Sequence, residues 1–292
     1  WAGYLARIVH PLLLAGVCFA YLLLGGDFLA TLSRHVGGPG SVLLWQTLFW
    51  ITGAFVVFFG LKFVARVESW LTSAFIVVFF FVLSLFVMNA KVSLFATANW
   101  NHIFVPFGTF LFSLSAHSVV PDVVLICGRN RKRSLMAVTI GSFGAALLIW
   151  LFGVLGYAAV GPTLSTNPSD VVRAFPASLF WLLPAVGSLS VAISFMALMQ
   201  DLRDELHVEF HLSKVVSWIV ALGSPLILLF VTVRNFLATV SFIGGIFGAI
   251  IGILISLMAL KAHKKVSPIV QSISWFCAAI FFLAFVWSIL TV

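Results

Sequence analysis

The ten residues Ser113-Leu-Ser-Ala-His-Ser-Val-Val-Pro-Asp122 place three hydroxyls, a histidine, a proline and a carboxylate inside an otherwise apolar stretch, Phe104 to Cys127. Pro121 has no N–H to donate, so a helix does not run unbroken through this point. Hydrocarbon cannot solvate the backbone groups freed by such a break, which therefore survives only against other protein or a wet cavity. In membrane transporters, interrupted helices at mid-depth are where substrates and coupling ions are held. Ser113, Ser115 and Ser118 bring hydroxyls next to opened amides, with Ala116 among them, a combination suited to capturing a carboxylate. His117 is ionisable at bilayer depth and exchanges a proton near neutrality. It fits a hydrogen bond to substrate or a coupling proton; the plainer alternative is a neutral ring bonded to a backbone carbonyl. Asp122 reads as a cap for the inner half-helix or as a partner for the basic cluster that follows.

Other polar positions join this set. Ser190 and Ser194 are four apart, so they share one helix face and can ligate sodium or bond a neighbouring backbone. The ordinary alternative is each serine bonding its own helix carbonyls. Tyr21 and Ser241, on two further spans, are candidate liners of a substrate pocket. His207 and His211 have the spacing of zinc ligands, but no third ligand of the right kind is evident, so they read as a solvated turn. Cys18, Cys127 and Cys277 lack metal spacing and read as reduced packing residues. No metal and no cofactor is expected, only H+ or Na+ as a coupling ion.

The elements that must position these residues follow from composition. The chain is 62% hydrophobic and 8% charged, with a mean hydropathy of +1.20. That is far from a soluble domain of 292 residues. A spanning helix needs ~20 apolar residues. Nine stretches meet that need: 4–26, 42–64, 70–89, 104–127, 135–160, 179–200, 214–233, 235–260 and 268–291. They are long and continuous, unlike barrel strands. The expectation is an all-α polytopic membrane protein, one domain over 1–292, with a discontinuous helix around 113–122.

Finer expectations attach to the spans. The first ends at Gly25-Gly26-Asp27, glycines that allow close packing or border a central cavity. Lys62 to Glu68 reads as a polar elbow joining spans two and three, and Phe75 to Val87 as a lipid-facing helix. Glycines 141, 144, 153 and 156 suggest tight packing of span five. Gly244, Gly248 and Gly252 form a helix-contact stripe in span eight. The loop from Gly161 to Ser178 reads as a connector or a lid, with a short helix capped by Ser169.

The net charge of +8 invites a nucleic-acid reading, but the placement of the basic residues argues against it. With a cytoplasmic N-terminus, only Arg34, Lys91, Arg173 and Arg234 of the sixteen Lys and Arg fall outside. The other twelve lie on the inner side, the asymmetry that sets topology. The N-terminus is expected inside, the C-terminus outside, and lipid rather than nucleic acid is the partner.

The stretch Phe107-Gly-Thr-Phe-Leu-Phe-Ser-Leu-Ser-Ala-His-Ser-Val-Val-Pro-Asp122 resembles the sixth transmembrane helix of permeases in the amino acid/polyamine/organocation superfamily. It is most similar to the aromatic amino-acid permeases and the amino acid/auxin permeases. Ala20-Tyr-Leu-Leu-Leu-Gly-Gly-Asp27 resembles their third helix, and Leu198-Met-Gln-Asp-Leu-Arg-Asp204 the end of their eighth, where Gln200 stands in place of the usual acid. The resemblance implies an inverted-repeat (LeuT-like) transporter bundle and an amino-acid substrate. It maps the nine spans onto helices three to eleven, so the first two are expected upstream of Trp1. It also implies that the broken helix holds the substrate's backbone groups, while spans one, six and eight shape its side-chain pocket.

The leading expectation is a secondary transporter, and not an enzyme. It moves an amino acid, aromatic or otherwise neutral, across the cytoplasmic membrane by alternating access. Substrate binding falls to Ser113, Ser115, Ala116, His117, Ser118, Tyr21 and Ser241, and ion coupling to Ser190, Ser194 and His117. A carrier of metal ions or nucleobases on the same architecture is the alternative, as is a non-transporting fragment or subunit. An intramembrane enzyme needs convergent acids and bases on several helices; only His117 reads as clearly at depth.

Overall fold

A computed structural model describes residues 2–91, 107–114, 117–161, 181–232, 234–262 and 268–291. These are helical, with no strand among the described residues. The helices are α1 (Ala2–His35), α2 (Val42–Phe58), α3 (Leu61–Asn89), α4 (Phe107–Leu114), α5 (Val120–Ile126), α6 (Arg131–Val160), α7 (Leu182–Glu209), α8 (Lys214–Val231), α9 (Phe236–Phe242), α10 (Ala249–Ala262) and α11 (Pro268–Thr291). A 3-10 turn, His117–Val119, precedes α5, and a π-helical segment, Ile243–Gly248, joins α9 to α10. Seven helices are long and apolar enough to cross a membrane, and α2 is a shorter apolar helix.

Polar side chains set where several helices begin. Ser41, Asn130, Ser213 and Asn235 each accept from a backbone N–H three residues on, at 3.1 to 3.4 Å. Each satisfies one of the donors that a helix start leaves open.

Two boundaries differ from the sequence reading. The first helix passes straight through Gly25-Gly26-Asp27 and ends at His35. Both glycines are contact positions: a Cβ on Gly25 would lie 2.7 Å from the Phe49 ring, and one on Gly26 the same distance from the Gln46 Cα. The expected elbow from Lys62 to Glu68 is instead the first two turns of α3. Phe59 and Gly60 make the turn, and Gly60 has φ +82°, a conformation that favours glycine.

The core sits around α1. Leu14, Cys18, Phe19 and Leu22 pack against Phe49 and Val57 of α2, Val64 of α3, Phe195 and Met199 of α7, and Leu222 and Leu229 of α8. Along another side of α1, Val9, Leu13 and Ala20 meet Val240, Ile243 and Ile251. Lipid tails are as apolar as leucine, so such packing relies on close fit and on polar cross-links. The Trp50 indole donates to the Leu222 carbonyl at 3.0 Å, Trp218 to that of Ala54 at 3.3 Å, and Arg203 to that of Val57 at 2.7 Å.

Helices α1 and α7 run antiparallel. Arg7 pairs with Glu209 at 2.9 Å, His10 with Glu205 at 2.7 Å, Tyr21 faces Ser194, and Phe28 lies against Gly187. From His10 onward, each step forward on α1 is matched by an equal step back on α7.

The glycines of α6 do not behave as expected. A Cβ on Gly141, Gly144 or Gly153 would meet nothing within 4 Å, and Gly156 only touches the Phe86 ring at 3.5 Å. Helix α6 is exposed along its span and meets α3 through rings instead, with Phe152 stacked on Phe79 at 5.6 Å. Glycine spacing permits a close neighbour without supplying one.

Candidate functional site

The expected break is present. The α-helix stops at Leu114 and resumes at Val120 after the 3-10 turn, while Ser115 and Ala116 lie outside the described residues. The outer loop with Ser169 and the start of span four, residues 104–106, lie outside them as well.

The half-helix α4 is held against α9 and the π segment by missing side chains. A Cβ on Gly108 would lie 2.6 Å from the Ser241 carbonyl oxygen, and one on Gly244 would press on the Gly108 carbonyl. This backbone contact brings the Thr109 and Ser241 hydroxyls to 3.5 Å. Gly245 lies against Ser288 and Gly252 against the Phe281 ring of α11, so the stripe in span eight serves two neighbours. A π segment leaves carbonyls with looser partners than an α-helix does and recurs at functional sites.

Tyr21 approaches α4 from α1. Its ring meets Phe112 edge-to-face at 5.8 Å, and its side chain faces Ser194. Two predicted residues from different helices, Tyr21 and Ser194, are thus brought near each other. Ser190, one turn away on α7, is half-buried. Ser188 donates to its own helix at the Ala185 carbonyl. Ser113 likewise donates to the Thr109 carbonyl at 2.8 Å and is exposed, so it takes the ordinary helix role. Ser118 is half-buried in the 3-10 turn.

His117 turns toward the opposite end of α1. Its ring meets His10 at 5.2 Å between centroids with a 71° interplanar angle. His117 Nε2 is buried and has no hydrogen-bond partner among the described residues. His10 in turn contacts Glu205 Oε2 through Nδ1 at 2.7 Å. At about 1.5 Å per residue, the His10 level lies about 16 Å along α1 from the Tyr21 level.

A cavity of about 1070 Å³ opens between α1, α8, the π segment and α11. Its walls are mainly apolar, with hydroxyls from Ser224, Thr239, Ser241 and Ser288. Of the predicted residues that are described, only Ser241 lines it. A second cleft of about 400 Å³ holds Asp27, Gln46, Arg234 and Asn235.

The sequence reading overlooked Thr109, Phe112, His10 and Glu205. His10 carried a usable signal. It is an ionisable residue inside the span 4–26, the same criterion that singled out His117. His117 is therefore not alone at depth. Thr109 and Phe112 carried no such mark, because a threonine and a phenylalanine in an apolar helix are unremarkable.

The tryptophan/tyrosine permease family profile matches the chain over residues 1–292. No curated protein and no solved structure matches it.

Proposed function

The chain belongs to the tryptophan/tyrosine permease family, and on that premise we propose that it carries an aromatic amino acid inward across the cytoplasmic membrane. It does so as a secondary transporter working by alternating access, drawing on a proton or sodium gradient. Its nine crossings, with α4 and α5 forming one interrupted span, make an inverted-repeat (LeuT-like) bundle with a cytoplasmic N-terminus.

The observation that carries this reading is the 3-10 turn His117–Val119 between α4 and α5, with a buried imidazole nitrogen that lacks a partner among the described residues. A substrate's ammonium and carboxylate are best received where backbone groups are not committed to a helix. His117 and Ser118 supply that place, with Ser115 and Ala116 assigned to it from the sequence, and Ser113 borders it. Tyr21 and Phe112 offer aromatic faces about three turns of α1 away from the His117 level, with the hydroxyls of Ser194, Thr109 and Ser241 around them. Aromatic rings prefer edge-to-face or offset contact, so this wall suits an indole or phenol. Ser190 and Ser194 are placed to serve a coupling ion on α7.

The test is uptake of radiolabelled tryptophan and tyrosine into proteoliposomes carrying the complete protein. Uptake is expected in the parent and should fall at least tenfold in His117→Ala. Unchanged uptake in that variant removes His117 from the site.

A further inference from the structure

The smaller cleft, of about 400 Å³, gathers opposite charges from three elements at the end of α1 far from Arg7. Asp27 stands on α1, Gln46 in the second turn of α2, and Arg234 and Asn235 just before α9. Gly26 makes the junction. A Cβ there would lie 2.7 Å from the Gln46 Cα, so α2 comes close enough for Gln46 and Asp27 to share one wall. Gln46 is 3% exposed, and its Oε1 is buried with no hydrogen-bond partner among the described residues. Buried polar atoms in folded proteins are nearly always bonded, so this acceptor calls for a donor. The terminal amide torsion of glutamine is soft, and a small rotation turns Oε1 to the cleft.

We propose that this cleft is a second binding site, where a neutral α-amino acid in its zwitterionic form waits before it reaches the interrupted span. This rests on the transporter reading above, which puts this end of α1 outside and makes amino acids the cargo. The Arg234 guanidinium takes the carboxylate. Its Nε donates to the Leu229 carbonyl at 3.0 Å, and its central carbon lies 6.0 Å from the Phe230 ring centre. The fork of Nη donors is thereby held in place for a bidentate contact. Asn235 adds donors only, because its Oδ1 already accepts from the Ala238 N–H. Gln46 Oε1 and the Asp27 carboxylate take the ammonium. A bare anion would meet Asp27 and a bare cation Arg234, so the two signs select a ligand that carries both. Leu24, Leu43 and Phe236 give its side chain an apolar wall, and the volume is that of a small-molecule site.

The cleft is separate from the site around the break. Asp27 follows Tyr21 by six residues, about 9 Å farther along α1. His117 lies at the His10 level, in the other direction from Tyr21. None of the described residues assigned above to substrate or to the coupling ion lines the cleft, and it shares no wall residue with the larger apolar cavity.

The test counts bound substrate and needs no turnover. The complete protein in detergent is titrated with radiolabelled tryptophan by equilibrium dialysis. About two molecules per chain are expected to bind in the parent, and about one in each of Arg234→Gln, Gln46→Leu and His117→Ala. The molecule retained in His117→Ala should yield at least tenfold less readily to tryptamine, which lacks the carboxylate, than to unlabelled tryptophan. The same holds for indole-3-propionate, which lacks the ammonium. A count in Arg234→Gln equal to the parent's overturns the proposal, as does either analogue competing as well as tryptophan. If Gln46→Leu fails to fold, Arg234→Gln decides alone, since that side chain is exposed. A single bound tryptophan that His117→Ala abolishes sinks the cleft and leaves the transporter reading standing. A parent that binds no aromatic amino acid sinks the transporter reading itself, and the cleft with it.

Discussion

Replacing Gly244 by alanine tests the contact that seats α4 on the π segment. The added Cβ would press on the Gly108 carbonyl oxygen and lie 3.0 Å from the Phe112 nitrogen. All of these are backbone atoms, which cannot swing aside as a side-chain tip can, so the two helices must separate by roughly an ångström. Forcing an extra methyl into a packed core costs about 1–3 kcal/mol. At about 2–4 °C per kcal/mol for a chain of this size, the melting temperature in detergent should drop by about 2–12 °C. Gly144→Ala is the internal comparison. No atom lies within 4 Å of that Cβ, and it sits mid-helix in α6. Relieved of glycine's backbone entropy, α6 should gain up to about 1 kcal/mol. Fluorescence-monitored unfolding of the purified variants reads both, and tryptophan uptake should fall only in Gly244→Ala. Equal shifts of the same sign would refute the claim that α4 docks by direct backbone contact while Gly144 of α6 stands clear of any neighbour.

Other expectations follow from single contacts. Tyr21→Phe and Ser194→Ala each remove one partner of the same polar interaction, worth about 1 kcal/mol. Each should raise the tryptophan KM about fivefold, and the double variant should be little worse than either. Arg203→Ala deletes a 2.7 Å bond to the Val57 carbonyl in the last turn of α2. Thermal unfolding should register a loss of about 1 kcal/mol, since the guanidinium is half-buried. Asn130→Ala removes the cap of α6 at about 1 kcal/mol, and hydrogen exchange should accelerate at the Arg133 amide, which Asn130 now accepts from.

The sequence by itself determined the class and the punctuation of this protein. Runs of ~20 apolar residues have few soluble explanations, so the helices were legible from composition and length. The break was legible because proline and clustered serines conflict with a helix in lipid, whatever surrounds them. The glycine stripe from Gly244 to Gly252 was readable for the same local reason, although Gly141, Gly144 and Gly153 in α6 found no neighbour. Tertiary structure alone decided partners. His10 and Glu205 are 195 residues apart, and nothing in one residue's surroundings points to the other. Tyr21 meeting Ser194, and Gly108 admitting Gly244, are of the same kind. A soluble helix shows its buried face by being polar on the other. A helix bathed in hydrocarbon is apolar all round, so its sequence carries no direction, and only the assembled bundle says which side meets protein.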